Sequence, residues 1–115
     1  LSTTEAEYIA ASVACAQIIW MKQTLLDYGM TITNSPIMCD NTSAINLSKN
    51  PVHHSRTKHI DIRHHFLRDH ALKGDISLNF ISTDNQVADI LTKPLKEDTF
   101  IKFRRDLGIC NFSDF

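Results

Sequence analysis

Apolar positions in "STTEAEYIAASVACAQIIWMKQTLLDYG" recur with a helical rather than a two-residue period, so the stretch predicts one long helix. Ser2 with Glu5, or Thr4 with Glu7, has the spacing of a capping box at its start, and Gly29 supplies a left-handed stop. Ala6, Ala10, Ala11, Ala14 and Ala16 favour the helical state further. After the loop "MTITNSP", residues 37–39 form a short apolar run suited to a buried strand. Asn41 to Ser43 can cap a brief helix reaching about Leu47, halted before Pro51. "HSRTKHIDIRHHFLRDHALKG" predicts a second long helix from near Thr57 to Gly74, with Ile62, Phe66, Ile60 and Leu67 as its core-facing edge. "DISLNFIS" then alternates Ile76, Leu78 and Phe80 with Asp75, Ser77 and Asn79, as a strand with one buried face does. "TDNQVADILTKP" predicts a short helix stopped by Pro94, "KEDTFIKFRRDLG" a last helix ended by Gly108, and residues 109–115 a frayed tail.

This order, α-β-α-β-α, implies an α/β layer with about two parallel strands joined by a crossover. No internal repeat, low-complexity linker or second domain boundary interrupts it, so residues 1–115 read as one domain. Two strands alone make a poor sheet, and further strands are expected to complete this one. The chain opens at Leu1, already inside a helix-start signal, and is expected to be a fragment of a longer one.

Composition narrows the class. With 115 residues, 43% of them hydrophobic, the chain suffices for one small core and not for two. Twelve Lys and Arg against thirteen Asp and Glu give a formal charge of −1, which excludes a uniformly basic protein. The distribution is uneven, because all six histidines fall between His53 and His70 and residues 51–73 carry a net +3. Cys15, Cys39 and Cys110 are odd in number and set among apolar residues, so reduced, mostly buried thiols are expected rather than disulfides. No apolar run approaches the length of a membrane span and no basic leader precedes one, so the expectation is an intracellular, cytoplasmic protein with no membrane partner.

Three carboxylates occupy positions where chemistry is often found. On a helical projection Glu7 shares a stripe with Ala11, Ala14, Ile18, Met21 and Leu25, whereas Glu5 points to nearly the opposite side, with Ser12. Glu7 is then either the acid of a capping box or a carboxylate carried toward a sheet. Asp40 follows the first strand, and ligands of open α/β sheets gather beyond the carboxyl ends of strands. It reads equally as the cap or turn residue of the next helix. Asp89 projects with Asn85, Thr92 and Lys93 on a polar helix face, which by itself suggests only solvation. Taken together, the three form a set of hard oxygen donors suited to Mg²⁺, and two such ions about 4 Å apart activate water and stabilise the leaving oxygen of a phosphodiester.

The basic segment admits a phosphate-tracking role, with Arg and Lys providing salt-dependent affinity without base reading, or a plain solvated helix face. His-rich tracts also bind zinc. His59 and His65 lack the i, i+4 spacing that places two ligands on one face, and no Cys-x-x-Cys accompanies them, so no zinc is expected.

The stretches "STTEAEYIAAS", "CDNTSAINLSKNPVHHSRTKHIDIRHHFLRD" and "VADILTKPL", with "LGI" near the end, occur in order and together resemble the ribonuclease H domain of copia-type retrotransposon polyproteins. The resemblance implies a ribonuclease H-like fold and cleavage of the RNA strand of RNA–DNA hybrids with two Mg²⁺ ions during reverse transcription. By position it assigns Glu7, Asp40 and Asp89 as catalytic metal ligands and Asn85 to ordering the final loop. It sets Asn41, Arg56, Lys58, His59 and Arg63 toward the hybrid, and makes the reverse transcriptase region of the same polyprotein a partner. In an active element the location would be a virus-like particle.

The family's fold also begins with three strands before the first helix, the first bearing a further Asp. These are not among residues 1–115, so the domain is expected to be truncated and this fragment inactive alone. Many cellular ribonucleases H carry a histidine before the last acid, and "FISTDNQVAD" has none. The alternative expectation is a degenerate or host-retained segment that binds nucleic acid or a protein without catalysis.

Overall fold

The computed structural model describes the backbone of residues 3–49 and 58–114, and the side chains of residues 3–49 and 65–113. In chain order the elements are α1 (Thr3–Asp27), β1 (Ser35–Cys39), α2 (Thr42–Lys49), α3 (Lys58–Leu72), β2 (Ile76–Phe80) and α4 (Glu97–Asp106). Short 3₁₀ turns occupy Thr83–Asn85, Val87–Leu91 and Phe112–Asp114. β1 and β2 pair in parallel with Ser35 opposite Ile76 and Cys39 opposite Phe80, giving an α/β fold with four helices and a two-stranded sheet. The chain divides into two compact units, Leu1–Ile81 and Ser82–Phe115.

The first unit forms around one core. Tyr8, Ala11 and Cys15 of α1 meet Ala44 and Ile45 of α2, Leu67 of α3, Cys39 of β1, and Ile76 and Leu78 of β2. Small residues at positions 11 and 15 let α1 sit close to its neighbours. Two buried hydroxyls satisfy themselves within their own helices, Ser12 Oγ donating to Tyr8 O at 3.1 Å and Ser48 Oγ to Ile45 O at 2.6 Å. α1, α3 and α4 end alike, on Gly29, Gly74 and Gly108 with φ of 75–80°. At Gly74 the consequence is positional: Gly74 N–H donates to Ala71 O and Asp75 N–H to His70 O, a Schellman turn that aims the chain straight into β2.

Several expectations need correction. The buried stripe of α1 runs through Tyr8, Ala11, Ser12 and Cys15, whereas Met21 is exposed. On that stripe Glu5 and Glu7 are flanking positions on opposite sides, both half-buried, so neither is the outward acid. The projection misjudged Ser12, which polarity marks as solvated but which a bond to its own helix allows inside. Thr4 already lies within α1, so the Thr4–Glu7 capping box is not formed, and Ser2 falls outside the described residues.

α1 also passes as a membrane span by length and composition, contrary to the reading of uninterrupted apolar runs, although its buried residues pack on the sheet and helices. Of residues 37–39 only Cys39 is buried in the described structure, and Met38 is exposed. Phe80 shares the alternation of Ile76 and Leu78 yet is exposed at the end of β2 in the described structure. Leu67 is fully buried while Phe66 is exposed, its ring edge-on to His70 at 4.6 Å. The helix expected through residues 83–93 is a pair of 3₁₀ turns, part of the frayed tail is a third, and Cys110 is exposed rather than buried.

Candidate functional site

Cys39 ends β1 with its side chain in the core, and the next residue, Asp40, leaves the sheet half-buried. Asn41 then turns the chain into α2: its Oδ1 accepts the Ala44 N–H at 2.9 Å and its carbonyl accepts the Ile45 N–H at 3.2 Å. Asn41, rather than Asp40, is thus the N-cap of α2. The cap role that competed for Asp40 is filled by its neighbour.

Glu7 reaches the same region from α1. Burial pushes the Cys39 thiol up, a hydrogen bond with the Asn41 backbone pulls it down, and the charges of Glu7 and Asp40 push it up again. Two carboxylates from separate elements therefore act on one sulfur at the carboxyl end of β1. β2 ends at the same level, where the Ile81 N–H donates to Cys39 O at 3.0 Å. The held proton makes Cys39 a neutral neighbour rather than a thiolate ligand. The donors on offer are hard oxygens, which suit Mg²⁺, a cation commonly bound through one or two carboxylates with waters and phosphates completing its shell. Among the described residues no group of three or more His, Cys, Asp or Glu side chains gathers closely enough to hold a metal ion.

Asp89 lies in the second unit, in the Val87–Leu91 turn. Its carboxylate is 14% exposed and pairs with Lys93 Nζ at 3.3 Å. Its N–H donates to Gln86 O, and its carbonyl accepts the N–H groups of Thr92 and Lys93. Upstream, Asn85 Nδ2 donates to Ser82 Oγ at 3.0 Å while Asn85 Oδ1 accepts from Lys102 Nζ of α4 at 3.2 Å. Asn85 thereby ties the loop before Asp89 to a helix.

Of the residues expected to face a nucleic acid, Asn41 uses its side-chain oxygen as a cap. Arg56 lies outside the described residues, as do the side chains of Lys58, His59 and Arg63 on α3. The sequence reading overlooked the roles of Cys39, Lys93 and Lys102. Lys93 carried a signal, the i, i+4 step from Asp89. It also overlooked a pair at the other end of the sheet, His70 Nδ1 with Asp75 Oδ2 at 2.9 Å. There Lys22 Nζ of α1 donates to Asp75 O at 2.8 Å and to Thr33 O, clamping the start of both strands.

No family model and no solved structure matches the chain. Curated proteins do. The retrovirus-related Pol polyprotein from transposon TNT 1-94 of Nicotiana tabacum is 44% identical over 87% of the chain. Those from transposons RE2 and RE1 of Arabidopsis thaliana are 38% and 39% identical over 94% of it. The chain spans about 8%, 8% and 7% of the length of these relatives, respectively. Its homologues are thus retrovirus-related Pol polyproteins of plant transposons, which match it along most of its length.

Proposed function

We propose that this chain is part of a ribonuclease H-like domain of a retrotransposon Pol polyprotein, acting on the RNA strand of RNA–DNA hybrids. The observation that carries the reading is the position of Asp40, half-buried just past the carboxyl end of the parallel strand β1, with the capping role taken by Asn41. Asp89 joins them on its motif, "VADILTK". Glu7, Asp40 and Asp89 would hold Mg²⁺, which when bound supplies Lewis-acid stabilisation of charge on the phosphodiester oxygens. The chain's own contributions are to orient and to order. Asn41 fixes the turn that presents Asp40, and Asn85 with Lys102 ties down the loop that leads to Asp89. The excess of basic residues in the segment 51–73 would add sequence-independent attraction for phosphates.

In the same reading a strand upstream of α1 would pair with β1 on the side away from β2 and bring the fourth acid. The test is hybrid cleavage with Mg²⁺, on residues 1–115 and on a polyprotein segment extended upstream. The extended form is expected to cleave and residues 1–115 to show little activity. Glu7→Gln, Asp40→Asn and Asp89→Asn should each lower the rate of the extended form by at least about a hundredfold. An extended form that cleaves no hybrid would sink the proposal. Strong cleavage by residues 1–115 would remove the need for the upstream strand.

A further inference from the structure

Among the described residues, β2 is paired along one side only, with β1. Ser35 N–H donates to Asp75 O at 3.2 Å and Ile81 N–H donates to Cys39 O at 3.0 Å, at the two ends of the parallel pair. A parallel ladder engages every second residue of a strand, so Ser77 and Asn79 bond inward to β1 as Asp75 and Ile81 do. The N–H and C=O groups of Ile76, Leu78 and Phe80 therefore point to the opposite edge. That edge is unguarded in its sequence: "ISLNF" has no proline and no charge, and its register with β1 runs without a bulge.

A groove of about 360 Å³ lies along the same edge. Residues 76–79 all line it, and because consecutive strand residues point to alternate faces, it follows the edge of β2 rather than one face of the sheet. Ala71 and Leu72 at the end of α3 and Lys49 at the end of α2 form its other walls, with Lys49 the charged residue of the lining. Leu72 and Phe80 are 78% and 57% exposed, so apolar surface extends beyond the groove.

We propose that the outer edge of β2 accepts an extended peptide as an added strand. The peptide main chain pairs with the outward groups of Ile76, Leu78 and Phe80, an aliphatic side chain enters the groove against Ala71 and Leu72, and an acidic residue meets Lys49. A single strand adds only about 4.8 Å to the sheet and meets the ends of α2 and α3 as walls, whereas a second copy would bring its own α2 and α3 to the same place. The site involves neither the three carboxylates nor the side of β1 away from β2, so it stands or falls apart from the nuclease reading.

The probe is a capped nine-residue peptide that alternates valine with threonine and carries a glutamate at each end, added to the 115-residue chain and to the upstream-extended form. Amide hydrogen exchange is followed residue by residue by NMR. Without peptide, the Phe80 amide should exchange at least about tenfold faster than that of Asn79, which is bonded to β1. Peptide should slow Leu78 and Phe80 at least about tenfold, and its counterpart N-methylated at every internal amide should not. In titrations of the amide resonances, Phe80→Pro, which removes an outward donor, should weaken binding about fivefold, while Phe80→Thr, which keeps it, should bind as the unsubstituted chain does. No slowing by the peptide in either form, or equal slowing by the N-methylated one, would overturn the proposal. A Phe80 amide that is slow without peptide at every protein concentration would show the edge already paired within the chain. Slowing that grows with protein concentration, with a dimer in sedimentation, would give the edge to a second copy, and either result overturns the peptide assignment. The exchange readout uses the unsubstituted chain and holds even where a substitution disturbs folding.

Discussion

His70 governs the ionisation of Asp75. Its hydrogen bond is the largest influence holding the Asp75 carboxyl below its usual value, against a smaller opposing effect of burial, and the charges of His70, Lys22 and Lys73 add to the lowering. A depressed folded value means a contribution to stability that is present above about pH 4, the unfolded range for Asp, and is lost as pH falls through the lower folded value. His70→Ala should therefore weaken acid sensitivity, narrowing the difference in urea midpoint between pH 5 and pH 3. An unchanged difference would show that other groups carry it. Burial separates two neighbours on α3 just as sharply. Leu67→Ala empties a fully buried site and should cost about 2–5 kcal/mol, whereas Phe66→Ala loses an exposed ring and its edge contact with His70, about 1 kcal/mol. Chemical denaturation that ranked Phe66 above Leu67 would contradict this placement.

Among the elements, the turn from β1 into α2 links folding to the candidate chemistry. The cap at Asn41 fixes the first turn of α2 and, through the adjacent peptide, the direction in which Asp40 leaves the sheet. Asn41→Ala should cost about 1 kcal/mol of stability, read from urea unfolding, and in an active extended form it should also lower hybrid cleavage. Asn41→Ser or Asn41→Asp, which keep a capping oxygen, should recover most of the stability. The existence and order of these elements were legible from the chain. Gly29, Gly74 and Gly108 stop three helices where their spacing says they should, and period-two alternation locates β2. Residues 83–93 were not legible, because apolar positions at 87, 90 and 91 fit a helix or a 3₁₀ turn equally well, and local hydrogen bonds to Gln86 and Asp89 carbonyls decide for the turn.

For the molecule as a whole, the described sheet has two strands, and Met38 and Phe80 remain exposed on it. A parallel pair of this kind gains most from additional strands and covering layers. The proposed upstream strand would supply one, and it would convert the Cys39 end of β1 from the edge of a sheet into its interior. The homologous polyproteins are more than ten times the length of this chain, so the reaction proposed for it belongs to a far larger protein.

The sequence by itself determined the α/β class, the two strands, the glycine helix stops and the three acids worth testing, because those depend on local period, spacing and residue chemistry. Tertiary structure decided which polar residue is buried and which apolar one is not. Ser12 enters the core because its hydroxyl finds a carbonyl one turn back, whereas Phe80, in step with Ile76 and Leu78, is exposed in the described structure. Packing likewise decided that the charges of Glu7 and Asp40, thirty-three positions apart in the chain, both push the Cys39 thiol up. Charge acts through space, and a one-dimensional pattern contains no distance between elements until the core has formed.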